Sequence, residues 1–405
     1  MKVLQILSGT AWGGGSVVVL AITRALIARG DRVWVVSLDD ETDRQFRDAG
    51  AEIVRPPLWF QPINPFDLYV FWRLWRLCRA ERFDLVATHT SKGGFLGRLA
   101  ARLAGIPCIV HHAHGFSFNR AVGPLTRRFY ILLERFAAMA GDLIISVNEL
   151  QRRMAVQLEV DTPERICTVH NGIDLRQNSN LDRTAARRAL GLDESSLLIG
   201  ATGRLAPQKG LVYLIRAMPQ VLDAVPTARL VLVGDGPLRE ALESEADRCG
   251  VKSQVHFLGF RREIPQLLAA FDVFAQPSLW EGLSISLIEA LAAGKPIVAT
   301  DIVGNREVVD QDETALLVPV ADPSALASAL RALLLNPELA AMLGANARRA
   351  ALERFGEERM VRENLAAYDR VRASRTPGYA RNWGSAGAKD IRALDSSDEA
   401  RERGY

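Results

Sequence analysis

The sequence predicts an α/β protein of two doubly wound domains that face one another across a cleft. Two observations predict it. At 405 residues the chain exceeds what one hydrophobic core usually holds, so two domains are expected. Short β-rich apolar runs also alternate with amphipathic helical stretches along its length, the pattern of right-handed βαβ crossovers and parallel sheets.

The first unit opens with KVLQIL, passes through the helical GGGSVVVLAITRALIARG to RVWVVSL, and continues in FDLVATH, GIPCIVHHAH, GDLIISVN and RICTVHNGID. The opening MKVLQILSGTAWGGG faintly resembles a signal peptide. Its apolar run is short and a glycine turn follows, so it reads as a first strand. The alternation restarts after Asp174 in LLIGATGR, RLVLVGDG, QVHFLGF, DVFAQPS, PIVATD and ALLVPV. The polar, Arg-rich stretch 174–196 reads as a linker with a short exposed helix. The expected organisation is one domain over 1–174 and a second over 175–355. A last helix over 356–373 returns to the first domain, and 374–405 forms a disordered Gly-, Ser- and charge-rich tail. In the Trp-rich helix near residue 72, Leu68, Phe71, Trp75 and Cys78 are expected to face the core, with Trp72 and several arginines on other faces.

Composition narrows the function. The net charge is +3, with 21 Lys and Arg against 17 Asp and Glu in residues 1–174 and 29 against 30 beyond. That bias is too weak for a nucleic-acid binder, and it suits peripheral contact with an anionic membrane. Cys78, Cys108, Cys167 and Cys249 are scattered, with no CxxC pair, as expected of reduced thiols in the cytoplasm. No apolar run reaches the ~20 residues that span a bilayer. His111, His112 and His114 crowd together but lack a carboxylate or cysteine at ligand spacing, so no metal site is expected. His111 and His112 read as alternating faces of a strand, one packed and one exposed.

HNGID, GRLAPQKG, LVGDGPLRE and EGLSISLIEALAAGKPIVAT, taken in order, resemble the retaining glycosyltransferases of family 4, which have the GT-B fold. The resemblance runs from residue 1 to about 373 and is densest between 199 and 307. It implies a nucleotide-diphospho-sugar donor, most often a UDP-sugar, and a saccharide or lipid-linked acceptor in cell-surface polysaccharide assembly. It implies no cofactor, and a cytoplasmic protein that touches the inner face of the membrane.

The residues support it independently. Gly282, Leu283 and Ser284 open a helix whose free N–H groups favour a diphosphate. Glu289 lies among apolar neighbours, where an unpartnered charge is rarely buried. The resemblance assigns its carboxylate to both ribose hydroxyls, a pairing that suits an acceptor-only group. Glu281, the first glutamate of the E-x7-E pattern, would meet the donor sugar. Arg204 and Lys209 follow a strand, and by resemblance they hold the diphosphate, whose charge grows as it leaves. The first two of Gly13, Gly14 and Gly15 coincide with the family's Gly-Gly, and the backbone of Gly14 and Gly15 would approach the diphosphate. The following Ser16 and Val17 lack the long polar side chains expected there. His114 beside Gly115 matches the family's His-Gly and would hydrogen-bond the donor sugar. Gly259, Phe260 and Arg261 are expected to hold the base through their backbone. Ser91, Lys92 and Gly93 resemble an acceptor-side loop, with Lys92 a candidate for an acceptor phosphate. Asn171 and Gly172 read as a positional turn at the cleft floor.

The rival readings are a nucleotide-sugar epimerase and a non-catalytic nucleotide-sugar-binding subunit of the same fold. LVLVGDGPLRE lacks GxGxxG spacing and the acidic residue after it, which disfavours an NAD-dependent dehydrogenase.

Overall fold

The computed structural model describes residues 1–7, 13–37, 39–55, 65–119, 122–178, 181–191, 193 and 195–375. The expected tail lies almost wholly outside these. Two all-parallel sheets account for the strands. The first contains β1 (Lys2–Ile6), β2 (Arg32–Val36), β3 (Glu52–Val54), β4 (Leu85–His89), β5 (Cys108–Ala113), β6 (Leu143–Ser146) and β7 (Ile166–Thr168), in the order β3-β2-β1-β4-β5-β6-β7. The second contains β8 (Leu197–Thr202), β9 (Ala228–Val233), β10 (Val255–Gly259), β11 (Val273–Gln276), β12 (Ile297–Thr300) and β13 (Leu316–Val318), in the order β10-β9-β8-β11-β12-β13.

Both sheets are buried on both faces, which is why their strands are runs of apolar residues without alternation. In the first, Val3, Val33, Leu85 and Val110 pack on one face and Leu4, Trp34, Val86 and Ile109 on the other. In the second, Ile199, Leu230 and Val273 face one way and Leu198, Val231 and Phe274 the other. This covering overturns one expectation: His111 and His112 on β5 are both buried, because no face of that sheet meets solvent.

Each sheet reverses its winding once, between β1 and β4 and between β8 and β11. Crevices outside the strand ends at such reversals are where ligands of open α/β sheets bind. The chain crosses between the sheets twice, side by side: the Ile173 amide donates to the Phe355 carbonyl and the Glu357 amide to the Ile173 carbonyl, each at 2.9 Å. The helix Glu357–Arg375 then runs back over the first sheet, where Met360, Ala367, Tyr368 and Val371 complete its core.

Two local expectations are corrected. The helix Arg183–Ala189 is not simply an exposed linker helix. Its Arg187 is 1% exposed, donates to the Ala270 and Ser196 carbonyls and pairs with Asp272, which fastens the helix to the second sheet. On the helix Asp67–Glu81 the core face is Val70, Leu74 and Cys78, while Leu68 is 77% exposed.

Candidate active site

The strand ends of the second sheet supply the charged groups. β8 runs directly into Gly203 and Arg204. A short turn, Pro207–Lys209, then brings Lys209 back beneath them. A Cβ at Gly203 would stand 2.9 Å from Lys209 Cε, and Gly203 has φ +137°, so glycine is required for that return. Lys209 Nζ donates to Glu281 Oε1 at 2.7 Å. The same carboxylate accepts from Gln208 Nε2 (2.9 Å), Gln276 Nε2 (3.1 Å) and Ser278 Oγ (2.8 Å). Glu281 is therefore fixed on four sides at the end of β11. Arg204 differs: it is exposed, and its guanidinium has no ion pair or hydrogen bond among the described residues.

Ser284 caps the helix Ile285–Ala292, accepting from the Leu287 amide, so the helix starts where the sequence places it. Glu289 lies on its second turn. Some of its surface remains accessible, yet it stands deep among protein atoms. Burial raises its carboxyl to about 7, and Lys209 opposes that shift. No side chain or backbone group among the described residues hydrogen-bonds its carboxylate. A carboxylate mostly withdrawn from water and without a protein donor is destabilised, and a ligand that supplies donors relieves that cost.

Along the edge of this sheet, the Gly234 amide donates to the Gly259 carbonyl at 2.8 Å, and a Cβ at Gly234 would meet the Gly203 carbonyl at 2.0 Å. The ends of β8, β9 and β10 thus form a backbone wall with little side chain, next to the exposed Phe260 and Arg261.

The first sheet closes over this arrangement. A Cβ at Gly282 would fall 1.8 Å from the His114 carbonyl, and one at Gly14 would fall 2.8 Å from Ile285 Cγ1. Gly15 lies against the other side of His114, where a Cβ would be 4.0 Å from Nδ1. Gly14, Gly15, His114, Gly282, Leu283 and Ser284 are therefore brought together, with Glu281 and Lys209 behind them.

The contacts that hold this closure were not singled out from the sequence. Asn148 Nδ2 donates to the Gly282 carbonyl (3.1 Å) and Gln151 Nε2 to the Glu281 carbonyl (3.1 Å). Glu307 accepts from the Glu149 amide (2.8 Å) at the start of the helix Glu149–Gln157, and lies 2.5 Å from His170 Nε2. Asn148 caps the helix Glu149–Gln157, its Oδ1 accepting from the Gln151 amide at 2.9 Å. Its second bond joins residues 134 apart, and no local pattern signals that.

The acceptor-side expectations fare differently. Ser91 starts the helix Ser91–Leu103 directly after β4, and its hydroxyl meets that of Ser117 at 2.7 Å. Gly93 is buried in the first turn of that helix. Lys92 Nζ lies 2.6 Å from Asp67 Oδ1, with the two side chains 9% and 13% exposed, so its charge is matched within the protein. Asn171 is buried at the double crossing, where a Cβ on the adjacent Gly172 would meet the Gly356 carbonyl at 2.5 Å. That is a positional place, as the sequence reading of this turn expected.

Comparison with known proteins agrees with this architecture. The description Glycosyltransferase Family 4 matches residues 12–177, and Glycosyl transferases group 1 matches residues 182–350. The UDP-Gal:alpha-D-GlcNAc-diphosphoundecaprenol alpha-1,3-galactosyltransferase of Escherichia coli is 35% identical over 263 residues, 64% of this chain and 68% of its own. A D-inositol 3-phosphate glycosyltransferase of Saccharomonospora viridis is 31% identical over 310 residues, 71% of each chain. Anabaena Alr3699/HepE, solved with UDP and glucose, shares the fold at a TM-score of 0.78 and 23% identity, covering 91% of this chain and all of its own.

Proposed function

We propose a specific reaction for this chain, which belongs to the group 1, family 4 glycosyltransferases. It moves a sugar from a UDP-sugar to a hydroxyl of a lipid-linked saccharide, with retention at the anomeric carbon and without a metal ion. One observation carries the reading: the Lys209–Glu281 pair and a Glu289 carboxylate with no hydrogen-bond donor among the described residues lie at one helix N-terminus, with His114 opposite and the exposed Arg204 just after the adjacent strand. Each is the complement of a part of a nucleotide-sugar. Arg204 and Lys209 meet the diphosphate and stabilise it more as its charge develops on departure. Glu289 accepts from the ribose hydroxyls, which supply the donors it lacks. Glu281 and His114 face the sugar, and the backbone wall at Gly259, Phe260 and Arg261 takes the base.

The two cations do the work that a divalent ion does in metal-dependent transferases. The acceptor hydroxyl attacks from the face the nucleotide leaves, and the departing diphosphate receives its proton. Trapping a sugar covalently on any side chain would refute that step. The UDP choice is supported by the E. coli relative, named for UDP-Gal, and by the UDP in the Anabaena structure. The lipid-linked acceptor is supported by the diphosphoundecaprenol in the former's name.

The protein's surface supports an acceptor drawn from a membrane. No single helix among the described residues is long and apolar enough to cross one. The helix Pro124–Ala138 exposes Leu125, Phe129, Leu132 and Phe136 at i, i+4, i+7 and i+11, a single apolar stripe. Beyond the intervening helix, Leu68, Tyr69 and Trp72 are also exposed, with Arg76 over the Trp72 ring at 4.9 Å. Aromatic and aliphatic groups edged by arginines suit the interface of an anionic bilayer.

A thermal-shift comparison of UDP-, GDP- and ADP-sugars tests the reading, because a ligand that binds only the folded state raises the melting temperature. Stabilisation by UDP-sugars in EDTA is expected, and Arg204→Ala should abolish most of it while leaving the unliganded melt unchanged. No response to any nucleotide-sugar would contradict the proposal.

A further inference from the structure

Behind His114 lies a buried polar relay that donor contact alone does not require. His114 Nε2 is 3.1 Å from His89 Nδ1, and His89 Nε2 is 2.7 Å from Gln5 Oε1. The rings of His89 and His112 stack with centroids 4.5 Å apart, and those of His89 and His114 at 5.3 Å. Tyr368, from the returning C-terminal helix, closes the stack: its hydroxyl is 2.7 Å from His112 Nε2 and its ring meets that imidazole edge-on. Gln5 and Tyr368 are 0% exposed and His89 is 1% exposed.

The proton positions in this chain follow from its far end. With Gln5 placed so that its carbonyl oxygen faces His89 and its Nε2 is buried without a hydrogen-bond partner among the described residues, the oxygen only accepts, so His89 Nε2 carries a proton and donates it. Burial, with the neighbouring imidazoles adding to it, keeps His89 neutral. His89 Nδ1 is therefore a lone pair, and the proton between the two histidines sits on His114 Nε2. Burial holds His114 at about 4, so it too is neutral, and its Nδ1 is a lone pair. That nitrogen is the one beside Gly15, on the side where the first helix meets the second domain.

We infer that Gln5 and His89 are positioning residues that lock His114 in its Nε2–H tautomer, so that it presents a hydrogen-bond acceptor to the donor sugar. The group it recognises is then a proton donor, a hydroxyl or an amide N–H, and a carboxylate is refused at that place. The inference deepens the proposed function, resting on it for the ligand but not for the tautomer.

The tautomer is readable in the unliganded enzyme by long-range ¹⁵N–¹H correlation of the imidazoles, with His114 assigned from a His114→Asn sample. The expected spectrum shows a protonated Nε2 and an unprotonated Nδ1 for His114. A protonated Nδ1 overturns the inference, whichever nucleotide binds. His89→Leu removes the acceptor and should release the tautomer. His89→Asn offers an amide oxygen near the position of Nδ1 and should preserve it. Where both variants fold, His89→Leu should lower kcat/KM for the donor by about tenfold, the worth of one hydrogen bond. His89→Asn should recover most of that loss, and equal losses in the two would show a merely structural role. Were donor binding absent altogether, the wild-type spectrum would still decide the tautomer.

Discussion

A carboxylate that stands on an apolar helix with no donor of its own holds desolvation energy that a ligand can relieve. Glu289 is that group. Its ordinary value of 4.5 rises to about 7 in the folded protein. Below pH ~4.5 it is protonated whether folded or not and costs nothing. Between that value and about 7 the unfolded chain ionises first, so this residue's contribution to stability falls as pH rises. Above about 7 the penalty is complete, at most about 3 kcal/mol for the shift involved. Glu289→Gln should therefore melt higher than the parent at pH 8 and much closer to it at pH 5, while losing its response to donor. A difference in melting temperature from the parent that is the same at both pH values, or a variant that still answers donor fully, would show that the carboxylate is not held this way. Glu289 was legible in the sequence because a charge among leucines and alanines is conspicuous. Gln208, Gln276 and Ser278, which fix Glu281, were not, since uncharged polar residues at strand ends resemble any loop.

At the scale of elements, parallel strands were readable because burial on both faces leaves them as unbroken apolar runs. Helix faces were harder. The Trp-rich helix Asp67–Glu81 has apolar residues in excess of what one core face needs, so periodicity alone did not separate Leu68, which is exposed, from Val70 and Leu74, which are buried. The surplus apolar groups are what the proposed membrane contact uses. Leu125→Glu together with Phe129→Glu changes two residues exposed by 81% and 50%, so folding should be unaffected. The double variant should lose co-sedimentation with phosphatidylglycerol vesicles yet keep its donor-induced thermal shift. Unchanged vesicle binding would remove this helix from any membrane surface.

For the whole molecule, what matters is that two sheets with separate cores are held with their reversal points opposed. Glu307 on His170 and the Glu149 amide, Asn148 on the Gly282 carbonyl, and Gly282 itself against His114 fix that relation. None of these pairings was visible beforehand, because each joins residues from different sheets and obeys no local period. The candidate site residues could be picked out for the opposite reason: Arg204, Lys209 and Glu281 each follow a strand within a short motif. Lys92 also follows a strand, and Asp67, which matches its charge, lies on another helix where no local pattern signals it. The central claim is that a nucleotide-sugar is gripped where the two sheets meet. A crystal structure of the enzyme soaked with a UDP-sugar tests it most directly. The account predicts diphosphate oxygens within hydrogen-bond reach of Arg204 and Lys209, and ribose hydroxyls on the Glu289 carboxylate. A nucleotide bound on any other surface, with those three side chains uncontacted, would contradict it.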